Sequence, residues 1–128
     1  LGKRDDYDAR AALVRREGLD PLIDGARERW FTASFRDDPR AQAVIDDLRR
    51  VDPQSYAACC EAVGEWDFRD DVGRISVPTL VVFGQADPVT PPEVRAVLQR
   101  FETVSVPGAH LANVEAPDEF NEQLRSFL

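Results

Sequence analysis

Methionine is absent from the 128 residues, so Leu1 is not an ordinary translation start and the chain reads as a piece of something longer. Histidine occurs once, at His110, and the two cysteines, Cys59 and Cys60, are neighbours. One imidazole and two adjacent thiols offer no zinc-ligand spacing, so neither a metal nor another cofactor is expected. A bridge between adjacent cysteines would be strained and would close almost no loop, which makes a reducing, cytoplasmic setting the expectation. The longest apolar run, around residues 79–83, falls far short of the roughly 20 residues a membrane span needs, and no signal peptide is recognisable. Basic residues are in the minority, 16 against 24 acidic ones, for a formal charge of −8 with no basic stripe. Neither a membrane nor nucleic acid is therefore an expected partner.

What remains fits one modest domain with two textures. Residues 1–70 are helix-like and rich in Arg, Asp and Ala. Asp20-Pro21, Asp38-Pro39 and Asp52-Pro53 each place a capping carboxylate before a proline, the signal of a helix start. A further helix, from about Asp6 to Arg16, precedes them and ends at Gly18. The apolar faces are Leu22, Ile23, Ala26 and Trp30 on the first Asp-Pro helix, Val44, Ile45, Leu48 and Val51 on the next, and Tyr56, Cys59, Cys60 and Val63 on the last. Each stripe is narrow, so these helices are expected to cap something larger.

Residues 71–128 alternate β and helical patterns. Thr79 to Phe83 is an apolar, β-branched run without alternation, as in a strand buried on both faces of a parallel sheet, and Gly84 ends it. A helix from Pro92 to Phe101 follows, with Val94, Val97, Leu98 and Phe101 at core spacing. A strand near 103–106 and a final helix from about Pro117 to Leu128, aligning Phe120, Leu124, Phe127 and Leu128, complete a β-α-β-α unit. The fold class is α/β with an incomplete parallel sheet, because two parallel strands do not stand alone.

Loops that leave the C-terminal ends of parallel strands share one edge of the sheet, where ligands bind. The loop after the first strand holds Asp87 and the loop after the second holds His110. An Asp beside a proline also serves as a turn residue, and a lone His near a glycine is often structural. Together, in matching loops, they form an acid and base that can share a proton: the carboxylate fixes the imidazole tautomer, and the other ring nitrogen takes a proton from a nucleophile. The order acid then histidine is the second half of a nucleophile, acid, histidine sequence. No G-x-S-x-G elbow occurs. Ser34, Ser55, Ser76, Ser105, Ser126 and both cysteines lack its flanking glycines, so the nucleophile is expected outside this chain.

Val77-Pro78-Thr79-Leu80-Val81-Val82-Phe83-Gly84 leading to Asp87, then Pro91-Pro92, then Ala109-His110-Leu111-Ala112-Asn113-Val114-Glu115-Ala116-Pro117, resembles the C-terminal third of α/β-hydrolases. Arg10, Val14-Arg15-Arg16-Glu17-Gly18, Arg29-Trp30-Phe31-Thr32 and Tyr56-Ala57-Ala58-Cys59-Cys60-Glu61-Ala62 resemble the lid of 3-oxoadipate enol-lactonases. Tyr7 stands where a tryptophan is expected, and Ala112 where a serine is common. The resemblance implies that residues 1–70 are a helical lid and residues 71–128 the end of the hydrolase core. It further implies that Asp87 is the triad acid, that His110 is the base, and that a small enol-lactone of aromatic catabolism is opened through an acyl-enzyme without metal or organic cofactor.

A carboxylated lactone needs cationic or donor groups near it, supplied locally in so acidic a protein, and Arg10 and Trp30 are the substrate-binding candidates. Arg10 also reads as one of 15 solvated arginines, and Trp30 as core. The expected partners are a small lactone or ester and the remaining N-terminal half of the hydrolase. Two other readings stand beside this one: a hydrolase of other small esters, and a non-catalytic association unit that self-associates through an exposed sheet edge.

Overall fold

A run of four helices opens the molecule, each begun or ended by a residue whose chemistry can be named. The computed structural model describes residues 4–67 and 71–128. The division expected near residue 70 falls on residues 68–70, outside the described residues.

Helix α1 (Arg4–Glu17) carries Asp5 and Asp6 in its first turn and Arg15 and Arg16 in its last, charges of the sign that suits the helix dipole at each end. It stops at Gly18, whose φ of +75° is the left-handed conformation open to glycine, with the Gly18 N–H bonded to the Val14 carbonyl at 2.8 Å. Helix α2 (Ile23–Trp30) is entered through a 3-10 turn, Asp20–Leu22. Asp20 therefore does not cap it, contrary to the Asp-Pro expectation. Leu19 already has helical torsions after the glycine, and the Asp20 carboxylate lies 3.7 Å from Arg49.

The other two Asp-Pro pairs do cap. The Asp38 carboxylate accepts from the Arg40 N–H at 2.8 Å and opens α3 (Pro39–Arg50). Asp52 accepts from the Ser55 N–H at 2.8 Å and opens α4 (Pro53–Glu65).

Helices α1 and α4 pack through small residues, with Ala11, Ala57 and Cys60 buried between Tyr7 and Tyr56. Ion pairs from Arg15 to Glu61 and from Arg4 to Glu65 flank that seam. A second cluster joins Val14, Leu19, Ile23, Ala26, Phe31, Phe35, Ala41, Ile45 and Leu48. Two residues expected on buried faces are exposed, Cys59 and Val51. Ala57 takes the place of Cys59 against α1, and Val51 lies beyond the end of α3, where its extended backbone turns the side chain off the helical stripe.

Beyond a short 3-10 turn at Val72–Arg74, strand β1 (Leu80–Gly84) leads to α5 (Pro92–Leu98) and to β2 (Glu102–Val106). The two strands pair in parallel from Leu80 opposite Glu102 to Gly84 opposite Val106, and they are the whole sheet among the described residues. A short α6 (Ala112–Glu115), not anticipated from the sequence, follows, and α7 (Pro117–Phe127) ends the chain.

In this half the expected cores are unfinished. Phe83 and Val106 are buried at the C-terminal end of the strands, while Leu80, Val81 and Val82 are only half-covered. Neither α5 nor α7 has a buried residue, and Val97, Leu124 and Leu128 stand exposed. The stripes are present; the surface that would cover them is not among the described residues. No described helix is long and apolar enough to cross a membrane.

Candidate active site

The site is built where the two strands end. A side-chain carbon on Gly84 would sit 1.9 Å from the Ala109 carbonyl oxygen, so only glycine lets the first loop lie against the second. Two backbone bonds then lace the loops together, Gln85 N–H to the Val106 carbonyl and Ala86 N–H to the Gly108 carbonyl, both at 2.9 Å.

That contact brings Asp87 and His110 together. The imidazole Nδ1 lies 3.2 Å from Asp87 Oδ1. An ionised carboxylate can only accept, so the Nδ1 that faces it is the protonated nitrogen, and in the neutral ring the lone pair is then on Nε2. Asp87 Oδ1 also accepts from the Val89 N–H at 2.8 Å, and Oδ2 accepts from the Thr90 hydroxyl at 2.6 Å. Burial works against the charge on Asp87, but the bonds from Thr90 and Val89, and then the charge of His110, outweigh it and hold the carboxyl below its ordinary pKa. The carboxylate is nearly sealed, its side chain 4% exposed, whereas that of His110 is 36% exposed. The carboxylate is hidden and the imidazole is open.

Arg95 on α5 holds the acid loop from behind. Its guanidinium donates to the Asp87 carbonyl at 3.0 Å and to the Thr90 carbonyl at 3.3 Å, approaches Asp87 Oδ2 to 3.6 Å, and stacks 4.5 Å above the Phe83 ring.

His110 opens onto a cleft of about 780 Å³ between the helical half and the acid loop. Arg10, Trp30, Arg29, Tyr7 and Tyr56 line it from the helices, and Pro88 to Pro91 from the loop. All four residues singled out in the sequence therefore meet at one place: Asp87 beneath His110, with Arg10 and Trp30 across the cleft. Trp30 is half-buried, and Arg10 lies 5.5 Å above the Tyr7 ring. Burial raises the Tyr56 phenol and the Cys60 thiol above their ordinary pKa values and keeps both neutral.

Sequence reasoning gave none of Thr90, Arg95, Arg29, Tyr56 and Glu115 a place in the site. Only Thr90 left a local trace, an Asp followed three residues later by a hydroxyl, which is the pattern of a self-bonded turn. Among the described residues lining the cleft there is no serine or cysteine. No cluster of three metal-ligating side chains occurs among the described residues either.

The sequence pattern described as the alpha/beta hydrolase family matches residues 2–123. The chain belongs to the α/β-hydrolase family. Within that family it is similar to 3-oxoadipate enol-lactonase 2 of Acinetobacter baylyi, with 36% identity over all of this chain and 50% of that protein. The crystal structure of the enol-lactonase from Burkholderia xenovorans LB400 superposes with a TM-score of 0.88 at 32% identity, over 98% of this chain and 51% of that one. A hydrolase from Pseudomonas aeruginosa PA01 gives 0.90 at 29% identity, over 99% and 51%. This α/β-hydrolase chain thus spans about half the length of the relatives it matches.

Proposed function

We propose that the chain is the C-terminal portion of a serine hydrolase that opens a small carboxylated enol-lactone, of the 3-oxoadipate enol-lactonase type. Residues 1–70 are its lid and residues 71–128 the end of its core. Asp87 is the triad acid and His110 the base, while the nucleophile and the covering strands belong to the preceding half of the fold. The observation that carries this reading is the 3.2 Å contact of His110 Nδ1 with a sealed carboxylate, beneath a cleft that also holds Arg10.

In this scheme a serine hydroxyl attacks the lactone carbonyl and its proton passes to His110 Nε2. The ring C–O bond then breaks, and the enol oxygen leaves with that proton. Water, deprotonated in turn by His110, releases the acid from the acyl-enzyme. Asp87 stabilises the imidazolium in both half-reactions. Arg10 pairs with the substrate carboxylate and Trp30 forms an apolar wall. The chemistry calls on no metal or organic cofactor, its partner is a small molecule, and two free cysteines suit a reducing cytoplasm.

Assaying the longer parent protein on the enol-lactone and on a nitrophenyl ester tests the reading. Turnover of the lactone supports it, and turnover of the ester alone rejects it in favour of a general esterase. The two-stranded sheet among the described residues favours a second reading for the isolated chain, an association unit that self-associates through its exposed sheet edge. A monomer at all concentrations in sedimentation would reject that.

A further inference from the structure

His110 is held from both sides of its own backbone, and one side chain accounts for half of that hold. The N–H of the residue before it, Ala109, donates to Glu115 Oε2 at 3.0 Å. The N–H of the residue after it, Leu111, donates to the Trp30 carbonyl at the end of α2, also at 3.0 Å. Glu115 does not stop at the loop. Its Oε2 also accepts from the Thr32 N–H at 3.3 Å, and its Oε1 accepts from the Thr32 hydroxyl.

One part-buried carboxylate thus gathers three donors, two of them 83 positions away in sequence, and among the described residues no cation is paired with it. Gly108 supplies the room: at φ +109° it has no side chain, and a carbon there would sit 3.3 Å from Oε2.

We propose that Glu115 is a positioning residue that ties the loop of His110 to the segment Trp30–Thr32, so that the imidazole and the cleft wall are set by one carboxylate. The proposal rests on the reading of His110 as the base and adds a requirement to it. Without the strap, Ala109 N–H and Thr32 lose their shared acceptor, and the backbone around His110 keeps only the Leu111 bond to Trp30 and the Gly108 bond to Ala86. The ring then leaves the line to Asp87 Oδ1 for part of the time, and the cleft wall drifts from the base.

Glu115→Gln tests this because an amide offers one acceptor and one donor group where three donors converge. With the amide oxygen on the two N–H groups, the NH2 faces the Thr32 oxygen, which must turn from donor to acceptor, and the negative charge that strengthened all three bonds is gone. Thr32→Val is the milder companion. It removes only the hydroxyl donor, nearly conserves shape, and keeps the test alive where the glutamine variant does not fold. The readout is the pair of imidazole 15N shifts in the full chain, where His110 is the only histidine. They distinguish the Nδ1–H tautomer from the Nε2–H tautomer.

In the parent sequence the Nδ1–H form dominates. In folded Glu115→Gln the two tautomers become mixed, and Thr32→Val shifts in the same direction by less. In the longer enzyme, kcat of Glu115→Gln falls roughly 10- to 100-fold, the scale of a small misplacement of a reacting group. Folded variants with unchanged 15N shifts overturn the role of Glu115 and leave the Asp87–His110 pair standing. An Nε2–H tautomer in the unmutated chain overturns the pair itself, and this proposal with it.

Discussion

The helices of both halves carry apolar stripes, yet α1–α4 bury theirs and α5 and α7 do not. Ile45 and Val14 are fully buried within α1–α4, where each stripe meets another helix of the same chain. In α7, Phe120, Leu124 and Phe127 line up just as well, and no residue is buried. Amphipathic spacing therefore records where a surface is meant to be covered. Burial follows only where the covering element is at hand, because apolar stabilisation scales with area removed from water. The halves differ in the site too: the sheet half brings the Asp87 carboxylate and the His110 imidazole, while the helical half lines the cleft with Arg10, Arg29, Tyr7, Trp30 and Tyr56.

The largest effect expected on that division is Asp87→Asn in the longer enzyme, which should lower kcat by about 10⁴-fold through the wrong imidazole tautomer. A fall under tenfold would place the orienting group elsewhere. Ile45→Ala should lower the unfolding free energy of the chain by about 2–5 kcal/mol in urea titration, as for a buried side chain whose cavity cannot collapse. Arg10→Leu should act on the other side of the comparison. If Arg10 pairs with the substrate carboxylate, loss of a charge-assisted bond of about 1.5–3 kcal/mol should raise KM by about 10- to 150-fold and leave kcat nearly unchanged; a fall in kcat instead would move Arg10 into the chemistry.

Acid should separate the halves as well. Asp38, Asp52 and Glu61 are held below their ordinary pKa values, by the Arg40 side chain, the Ser55 N–H and the Arg15 side chain respectively. All three lie in the helical half, and Asp87 is the corresponding group in the sheet half. A lowered folded pKa means that the unfolded chain binds more protons, so these groups contribute stability above about pH 4 that is lost as pH falls through their folded values. Asp38→Asn, Asp52→Asn and Glu61→Gln together should flatten the acid arm of a stability-pH curve followed by helical circular dichroism; an unchanged slope would contradict the assignment.

The smallest effect expected is Leu124→Ala, within about 0.5 kcal/mol in this chain because the side chain is already exposed. The same substitution in the longer protein should cost more than about 2 kcal/mol if the preceding half covers α7. Equal costs in both would mean that α7 is uncovered there too.

Local chemistry was legible wherever the cause was local. Asp38-Pro39 and Asp52-Pro53 wrote two helix starts, Gly18 wrote a stop, and the run to Gly84 wrote a strand end. Asp20-Pro21 misled because the left-handed Gly18 just before it had already started the turn. Cys59 and Cys60 are adjacent, and one helix cannot turn both toward α1. Which of them is buried depends on where α1 lies, and that is not written in α4.

The sequence by itself determined the order of the main helices and strands, the α/β class, and the placing of one carboxylate and one imidazole in loops at the same end of parallel strands. Those follow from residue types and periods that act over a few positions. Only the tertiary structure decided that Gly84 lets the loops touch, that Arg10 and Trp30 face His110 across a cleft, and that Glu115 reaches Thr32. Each of these depends on the approach of segments tens of residues apart, and sequence spacing carries no measure of that distance.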